Sequence, residues 1–206
     1  SAPRRPNHQL HSGVVEIIVN TDATVKYATV QNWYSGKYDG KRNTGGILNF
    51  VTKRGRCADN AKLLWTQMEI GSALTWKYPS TILSGKNSYS DFYSLSITRD
   101  GQMADTGTKM IHIGDNSISN IVSYGVATDS SVQTFRSLIS FSGNNCTCAS
   151  KCDSRLIGNT ATANTLPRVI HSGDNNQISH EATTGAIDTA TLTYLNMAGI
   201  ETDTAI

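Results

Sequence analysis

The 206-residue chain is long enough for one domain with a sizeable core and too short for two ordinary domains. Its 18 Lys and Arg nearly balance its 16 Asp and Glu, and the scattered cations form no stripe that could follow a nucleic-acid backbone. No segment approaches the roughly 20 consecutive apolar residues of a membrane-spanning helix, and the first residues lack a signal-peptide pattern. We therefore expect neither nucleic acid nor a membrane as a partner.

The sequence from Gly13 onward predicts an all-β fold. Short runs rich in β-branched and aromatic residues follow one another. The predicted strands are 14–19, 25–33, 47–52, 63–68, 74–78, 92–97, 110–113, 118–122, 132–141, 155–157 and 166–170. Turn signals separate them at 20–22, 85–88, 99–101, 114–117, 143–145 and 173–176.

One recurring turn favours a parallel, right-handed β-helix, which is a solenoid of stacked coils. A Gly-x-Asn turn followed by Ser or Asn occurs three times, beginning at Gly85, Gly114 and Gly173. Hydroxyl and amide side chains are also frequent within the predicted strands, where they can stack from coil to coil. The turns follow no strict short period, so a Greek-key sandwich is the competing architecture.

Only the end of the chain has a helical pattern. Asp188 is a natural N-cap, apolar residues follow it, and Gly199 supplies a stop. Residues 200–206 resemble the opening of a second helix that ends before it could bury a face. We assign residues 1–184 to a β-helix core domain and residues 185–206 to the start of a C-terminal helical domain, and we expect the chain to be a piece of a longer protein.

The positions of the four cysteines are unfavourable for disulfides that would stabilise the fold. Cys146, Cys148 and Cys152 lie within seven residues, and Cys57 is far from them. This spacing is more typical of thiol or metal chemistry than of disulfides, and it favours a reducing compartment.

Long strings of residues carry a specific resemblance. They are YATVQNWY at 27–34, NFVTKRG at 49–55, WTQ at 65–67 with GSALTWKYPS at 71–80, ADTGTKMIHIG at 104–114 and HEATT at 180–184. In this order they resemble the SufB branch of the SufB/SufD family of iron–sulfur cluster assembly scaffolds. The resemblance extends from about Gln9 to Ile206.

The resemblance implies a scaffold and not an enzyme. Such scaffolds have a β-helix core, pair through it with a SufD-like homologue and bind a SufC-like ATPase through C-terminal helices. They receive sulfur from a donor protein and build a nascent iron–sulfur cluster for transfer to apo-proteins, in the cytoplasm or the plastid stroma. The chain has no Walker-type phosphate loop, so ATP hydrolysis would belong to the partner.

Cys152 matches the family cysteine that accepts sulfur and ligates the nascent cluster. A thiolate is both a nucleophile and a soft iron ligand, so this role requires an accessible, ionised thiol. Glu181 matches the family carboxylate opposite that cysteine, and His180 precedes it. Adjacent strand residues point to opposite faces, so we rank Glu181 above His180 and expect the side chains of Cys152 and Glu181 to face one another.

Gln31, Trp33 and Lys53 match family positions that line a path for sulfur inside the β-helix. Gln31 and Trp33 are two residues apart and would share one face of a strand. The competing interpretation makes Trp33 a core residue and Lys53 a solvated end.

The remaining candidates are weaker. Cys146 and Cys148 are possible extra metal ligands, or they are incidental. Cations near Cys57 could lower its pKa. His112 is expected to be a hydrogen-bonded core histidine and not a ligand.

Two other functional classes stay open. Ser179 stands where many SufB sequences have a second Glu, which favours a β-helix that pairs with a homologue, or with a second copy as a homodimer, but holds no cluster. A carbohydrate-binding or lyase β-helix would need Asp clustered with Arg or Lys in a cleft.

Overall fold

The structure is a computed structural model that describes residues 4–41 and 43–205. Its strands are β1 (Gln9–Val19), β2 (Thr24–Asn32), β3 (Lys37–Tyr38), β4 (Asn43–Thr44), β5 (Ile47–Cys57), β6 (Lys62–Ile70), β7 (Leu74–Lys77), β8 (Ser80–Leu83), β9 (Tyr89–Thr98), β10 (Met103–His112), β11 (Ile118–Thr128), β12 (Val132–Phe141), β13 (Thr147–Ile157), β14 (Thr162–His171) and β15 (Gln177–Gly185). Two helices follow, α1 (Thr189–Met197) and α2 (Thr202–Ala205).

Two parallel sheets form the walls of a β-helix, which confirms the predicted fold class. The first sheet has the order β1, β5, β7 with β8, β10, β12 and β14, and the second has β2, β6, β9, β11, β13 and β15. The chain alternates between the sheets, so each coil adds one layer to both. Because every pair in these sheets is parallel, the Greek-key alternative is wrong.

The coils differ in length, which explains why the sequence has no strict repeat. Hydrogen-bonded partners in adjacent coils are 38, 27, 29 and 30 residues apart along the chain. The longest of these coils contains the β3–β4 hairpin, which is antiparallel and lies outside both sheets. Extra residues are therefore accommodated beside the solenoid without changing its register.

Five of the six predicted turns stack along one side of the solenoid, and the sixth, 99–101, connects β9 to β10 on the other side. A single non-glycine residue with positive φ occupies this turn in each coil: Asp22, Asn60, Asn87, Asn116, Asn145 and Asn175. Asn and Asp tolerate this conformation better than other side chains. Asn60 Nδ2 donates to Asp22 Oδ1 over 2.9 Å, and Asn87 Nδ2 donates to Asn60 Oδ1 over 3.2 Å. The turn signals thus mark a side-chain ladder.

Helix α1 begins where the sequence predicts. The Asp188 carboxylate accepts a hydrogen bond from the Thr191 backbone N–H over 2.8 Å, which is an N-cap. None of its residues is buried, and Tyr194 and Met197 are strongly exposed. In the described part of the chain, no helix is long and apolar enough to cross a membrane.

Candidate functional site

The interior of the β-helix is divided lengthwise into two halves. The apolar half lies beside the stacked Asn turns and includes Cys57, Leu63, Leu83, Met110, Ile139, Phe141, Cys146 and Cys148, and its packing extends to Cys152. The polar half lies across from it and includes the buried side chains of Asn49, Lys53, Gln67, Glu69, Lys77, Ser96, Ser123 and Gln133. Buried polar groups cost free energy unless they are hydrogen-bonded, so the polar half is where a ligand or a functional residue is expected.

One inner row of the polar half ends at Cys152. The register of the second sheet aligns Thr29, Gln67, Ser94, Ser123 and Cys152, here called the Cys152 row. Strands in neighbouring coils lie about 4.8 Å apart, and the Ser94 hydroxyl donates to Ser123 Oγ over 2.9 Å. Cys152 is 2% exposed and lines a cavity of about 10 Å³ with Ser123 and Gln133. The Cys152 thiol therefore terminates a line of hydrogen-bonding side chains.

The environment of Cys152 favours the neutral thiol. Burial raises its pKa to about 11, and the neighbouring Ser150 side chain offsets only part of this effect. The thiol is thus neither accessible nor ionised at neutral pH, contrary to the expectation for a sulfur acceptor. Iron binding would displace the proton, because a thiolate is the metal ligand.

The sheet register places Glu181 on the opposite face of the wall from Cys152. Cys152 pairs with Ala182, whereas Glu181 pairs with the outward-facing Lys151, and paired residues of parallel strands point to the same side. The Glu181 carboxylate lies 4.0 Å from Lys151 Nζ in an exposed ion pair. The structure therefore contradicts the expectation that the side chains of Cys152 and Glu181 face one another.

His180 shares the inner face with Cys152. It aligns with Ser150, which lies two residues before Cys152 on the same side of the strand. Ser150 Oγ is buried and has no hydrogen-bond partner. Among residues 4–41 and 43–205, no three His, Cys, Asp or Glu side chains are close enough together to hold a metal ion. This face thus presents two candidate iron ligands, and a complete cluster would need ligands from elsewhere.

The three predicted path residues lie together at the opposite end of the polar half. Trp33 Nε1 donates to Gln31 Oε1 over 2.7 Å, and Lys53 Nζ donates to Thr29 Oγ1 over 2.8 Å. Thr29 is the first member of the Cys152 row. Lys53 is only 1% exposed, so its interpretation as a solvated end is wrong, and Trp33 is half-buried rather than a core residue. The polar half connects this end to Cys152.

Two more charged side chains, Lys77 and Glu69, are buried beside Lys53. Lys77 donates to the Glu69 carboxylate in a buried ion pair, and Glu69 Oε2 also accepts from Asn49 Nδ2 over 3.5 Å. Burial and the neighbouring Lys77 lower the pKa of Lys53 to about 7. Burial also raises the pKa of Glu69, although both lysines oppose this shift. Lys53 is thus close to losing its proton at neutral pH.

Sequence reasoning missed Gln67, Glu69 and Lys77. A signal was present. Gln67 and Glu69 continue the period-two spacing of Leu63 and Trp65 along β6, and Leu63 and Trp65 clearly belong to a core. Period-two alternation therefore places Gln67 and Glu69 inside the solenoid.

The other cysteines lie in the apolar half. Burial raises the pKa of Cys57 to about 12 and that of Cys148 to about 11, so nearby cations do not lower the pKa of Cys57. Cys146 contacts Ser117, whose hydroxyl lies 3.3 Å from its sulfur. These environments give no support to Cys146 and Cys148 as metal ligands.

His112 is the hydrogen-bonded core histidine that the sequence predicts. Its Nδ1 lies 2.8 Å from Ser117 Oγ and its Nε2 lies 2.9 Å from Ser119 Oγ, and it is fully buried. Burial lowers its pKa to about 4, so the imidazole is neutral.

Comparison with known proteins gives one consistent result. The family model described as SUF system FeS cluster assembly, SufBD core domain, matches residues 1–206. Proteins named iron–sulfur cluster assembly SufBD family protein are 46% identical over the whole chain in Porphyra purpurea, in Synechocystis and, as a chloroplastic protein, in Arabidopsis thaliana. The chain spans 42%, 43% and 37% of the lengths of these relatives.

Proposed function

Since the chain belongs to the SufBD core-domain family of the SUF iron–sulfur cluster assembly system, we propose that it is the core of a SufB-type scaffold on which a nascent cluster is built. The observation that carries this proposal is the position of Cys152 at the end of a hydrogen-bonding inner row. Sulfur and iron are the cargo of this scaffold, and the assembled cluster passes on to apo-proteins.

In this proposal the polar half conducts sulfur in a small anionic form. Sulfur enters near Gln31, Trp33 and Lys53 and moves along the Cys152 row. At Cys152, the thiolate attacks the terminal sulfur of a small persulfide. A new S–S bond to Cys152 forms as the S–S bond of the donor breaks, and the departing thiolate takes up the proton that Cys152 loses. This exchange needs no external oxidant. The same sulfur atom, as a thiolate, can ligate iron.

We propose His180 as the second iron ligand, in preference to Glu181. This choice is supported by the register, in which His180 lies on the inner face. The Glu181 carboxylate instead forms an exposed ion pair with Lys151. Cys146 and Cys148 are left out, because both are fully buried and neither belongs to the Cys152 row. Histidine can replace cysteine at iron in some clusters.

The missing ligands would come from a partner. Strands β14 and β15 each pair with one neighbour only, so their outer edges are unpaired in the described part of the chain. Leu166, Val169 and Ile170 are exposed on this coil. An unpaired edge with apolar side chains is a template for pairing with another chain. We propose a SufD-like homologue there, or a second copy in its absence, a SufC-like ATPase elsewhere on the complete protein, and a separate sulfur donor protein.

The setting would be the cytoplasm or the plastid stroma, as in relatives such as the chloroplastic one of Arabidopsis thaliana. Buried, unpaired cysteines are compatible with either reducing compartment.

Anaerobic reconstitution tests the scaffold proposal directly. We expect the protein, incubated with ferrous iron, sulfide and reductant and then desalted, to keep iron and sulfide together with visible charge-transfer absorption. A protein that keeps neither iron nor colour, alone and with its SufD-like partner, would contradict the proposal.

The second candidate function is an interaction module without a cluster. Its support is the small ligand set in the described residues together with the unpaired edge of β14 and β15. This alternative predicts normal pairing with the homologue in size-exclusion chromatography but no iron uptake in the complex, so the same experiment separates the two candidates.

The ligand assignment gives a paired prediction. His180→Ala should weaken iron retention roughly ten- to a hundredfold, because even outer-sphere partners of a metal are worth that much, whereas Glu181→Ala should leave it nearly unchanged. Iron remaining after dialysis against a chelator provides the measurement. The two variants are matched, since both residues lie on exposed β15. A larger loss for Glu181→Ala than for His180→Ala would restore the carboxylate as the ligand.

A further inference from the structure

A groove, here called the outer groove, runs across the stacked coils on the outer face of the first sheet. It consists of two adjoining cavities of about 810 and 350 Å³, which share Trp76, Tyr78 and Lys109 as lining residues. The groove follows a break in the sheet, where Tyr78 and Pro79 separate β7 from β8. Proline cannot donate a hydrogen bond to a strand ladder, so the pairing is interrupted there. The larger cavity alone has the volume of a ligand site.

Three cations occupy alternate coils in one outward-facing row of the first sheet. The register aligns Arg54, Ser80, Lys109, Leu138 and Arg168. The three cations line the outer groove, and Arg54 also forms an exposed pair with Glu16, 3.9 Å away. Because neighbouring strands lie about 4.8 Å apart, successive cations are separated by about 10 Å along the solenoid axis. The outer groove thus contains positive charges at a regular spacing.

The outer groove has more positive than negative charge. Among the described residues that line it, Asp105 is the only carboxylate. Arg136 donates to this carboxylate over 2.9 and 3.0 Å, and the Tyr78 hydroxyl donates to it as well. In the part of the chain that the structure describes, neither Lys109 nor Arg168 has a carboxylate partner. An acidic ligand would therefore be complementary to the groove.

Exposed aromatic rings lie beside the row of cations. Trp76 is 50% exposed, stacks on Phe50 with ring centroids 5.9 Å apart, and meets the edge of Tyr78. Aromatic-lined grooves are typical of sites that bind polyproline II segments. In a polyproline II helix every third side chain points to the same side, at intervals of about 9.3 Å. This interval matches the spacing of the cations, whereas side chains on one face of a β-strand recur about every 6.6 Å.

We propose that the outer groove binds an acidic polyproline II segment of a partner protein, with a carboxylate at every third residue. Successive carboxylates pair with Lys109 and Arg168, and the prolines between them pack against Trp76 and Tyr78. A neutral sugar chain would leave both cations unpaired. The inference concerns the outside of the solenoid and does not depend on cluster assembly.

A fluorescein-labelled peptide of four Glu-Pro-Pro repeats is the probe, and fluorescence anisotropy with the full-length protein, prepared without iron or sulfide, measures its binding. The control peptide has four Glu-Pro-Pro-Pro repeats, which keep the charge but turn successive carboxylates away from one face. We expect the control to bind roughly three- to tenfold more weakly, because it loses exposed ion pairs, and binding of the probe to weaken as salt screens them.

Three results would overturn the proposal. The first is the absence of binding by the Glu-Pro-Pro peptide, and the second is equal affinity for the two peptides. The third is tighter binding of a thymidine oligonucleotide or of oligogalacturonate of the same length, which would assign the outer groove to a nucleic acid or to an acidic sugar.

Two matched double variants locate the site. Lys109→Gln combined with Arg168→Gln should weaken peptide binding roughly three- to tenfold, because it removes two exposed ion pairs. Lys26→Gln combined with Lys62→Gln removes the same charge from the outer face of the second sheet and should leave the affinity unchanged. Equal losses in both double variants would show unspecific attraction and refute the site.

Trp76→Ala tests the aromatic part of the outer groove. It should weaken binding of the Glu-Pro-Pro peptide by roughly tenfold or more, since exposed aromatic anchors carry much of the binding energy of such sites. Unchanged affinity in a folded Trp76→Ala variant would contradict the proposed packing of the prolines. If Trp76→Ala does not fold, the two double variants decide.

Discussion

Cys152→Ser abolishes the visible iron–sulfur absorption of the reconstituted protein, while Cys148→Ser leaves it intact. Serine fits the same space but supplies a hard, barely acidic oxygen in place of the soft thiolate that iron–sulfur clusters require. Iron content, sulfide content and the absorption spectrum of each variant after desalting measure this effect. The expected difference is complete loss against full retention.

Cys148 is a demanding control for this comparison. It lies on the same strand and the same inner face, four residues before Cys152, and burial raises the pKa of both thiols to about 11. The two differ in register, because Cys152 aligns with Ser123, Ser94 and Gln67, whereas Cys148 aligns with Ser119, Ser90 and the apolar Leu63. If both variants lost the absorption, general damage to β13 would explain the result, and the specific role assigned to Cys152 would be refuted.

Glu69→Gln lowers the free energy of unfolding by about 3–5 kcal/mol, because it leaves Lys53 and Lys77 buried together without a counter-charge. The side-chain volume hardly changes, so the loss is electrostatic. Urea unfolding followed by circular dichroism measures it. Glu16→Gln is the control, since Glu16 and Arg54 form an exposed pair 3.9 Å apart that is worth less than about 1 kcal/mol.

The loss in Glu69→Gln should depend on pH in one direction. The folded-state pKa of Lys53 is already lowered to about 7, against an ordinary value of 10.5, so the unfolded chain binds the proton more tightly. Stability therefore rises as pH increases from about 7 toward 10. Glu69→Gln removes an attraction that favours charged Lys53, so the variant should be weakest near pH 6 and recover partly near pH 9. A loss that grew with pH would contradict this account.

Sequence patterns predicted the fold because the residues that form its turns can be recognised locally in the sequence. The turns depend on single Asn or Asp residues that tolerate positive φ, such as Asn87 and Asn116, and these are visible in the sequence. Only the end of β13 was predicted, and β15 was not predicted at all. Both strands lack the usual apolar alternation, because their inward side chains, including Ser150, Cys152 and His180, belong to a polar interior.

The candidate site was predictable in its members but not in its geometry. The resemblance identified Cys152, His180 and Glu181, yet which of the last two shares the face of Cys152 depends on register. A shift by one residue exchanges the two faces of a strand, and no local pattern fixes the register of β15 against β13. The ion pair of Glu69 with Lys77 was missed for a related reason, since charged residues inside a solenoid run against the usual rule that charge is exposed.

The layer that covers Cys152 is thin. Only Ala182, one strand farther along, separates the thiol from the unpaired edge of β15. Each repeat of a solenoid is stabilised mainly by its nearest neighbours, so the coil made by β14 and β15 can melt locally while the rest stays folded. The reactivity of this sulfur is then set by the fraying of one terminal layer, and any protein docked on that edge would control it.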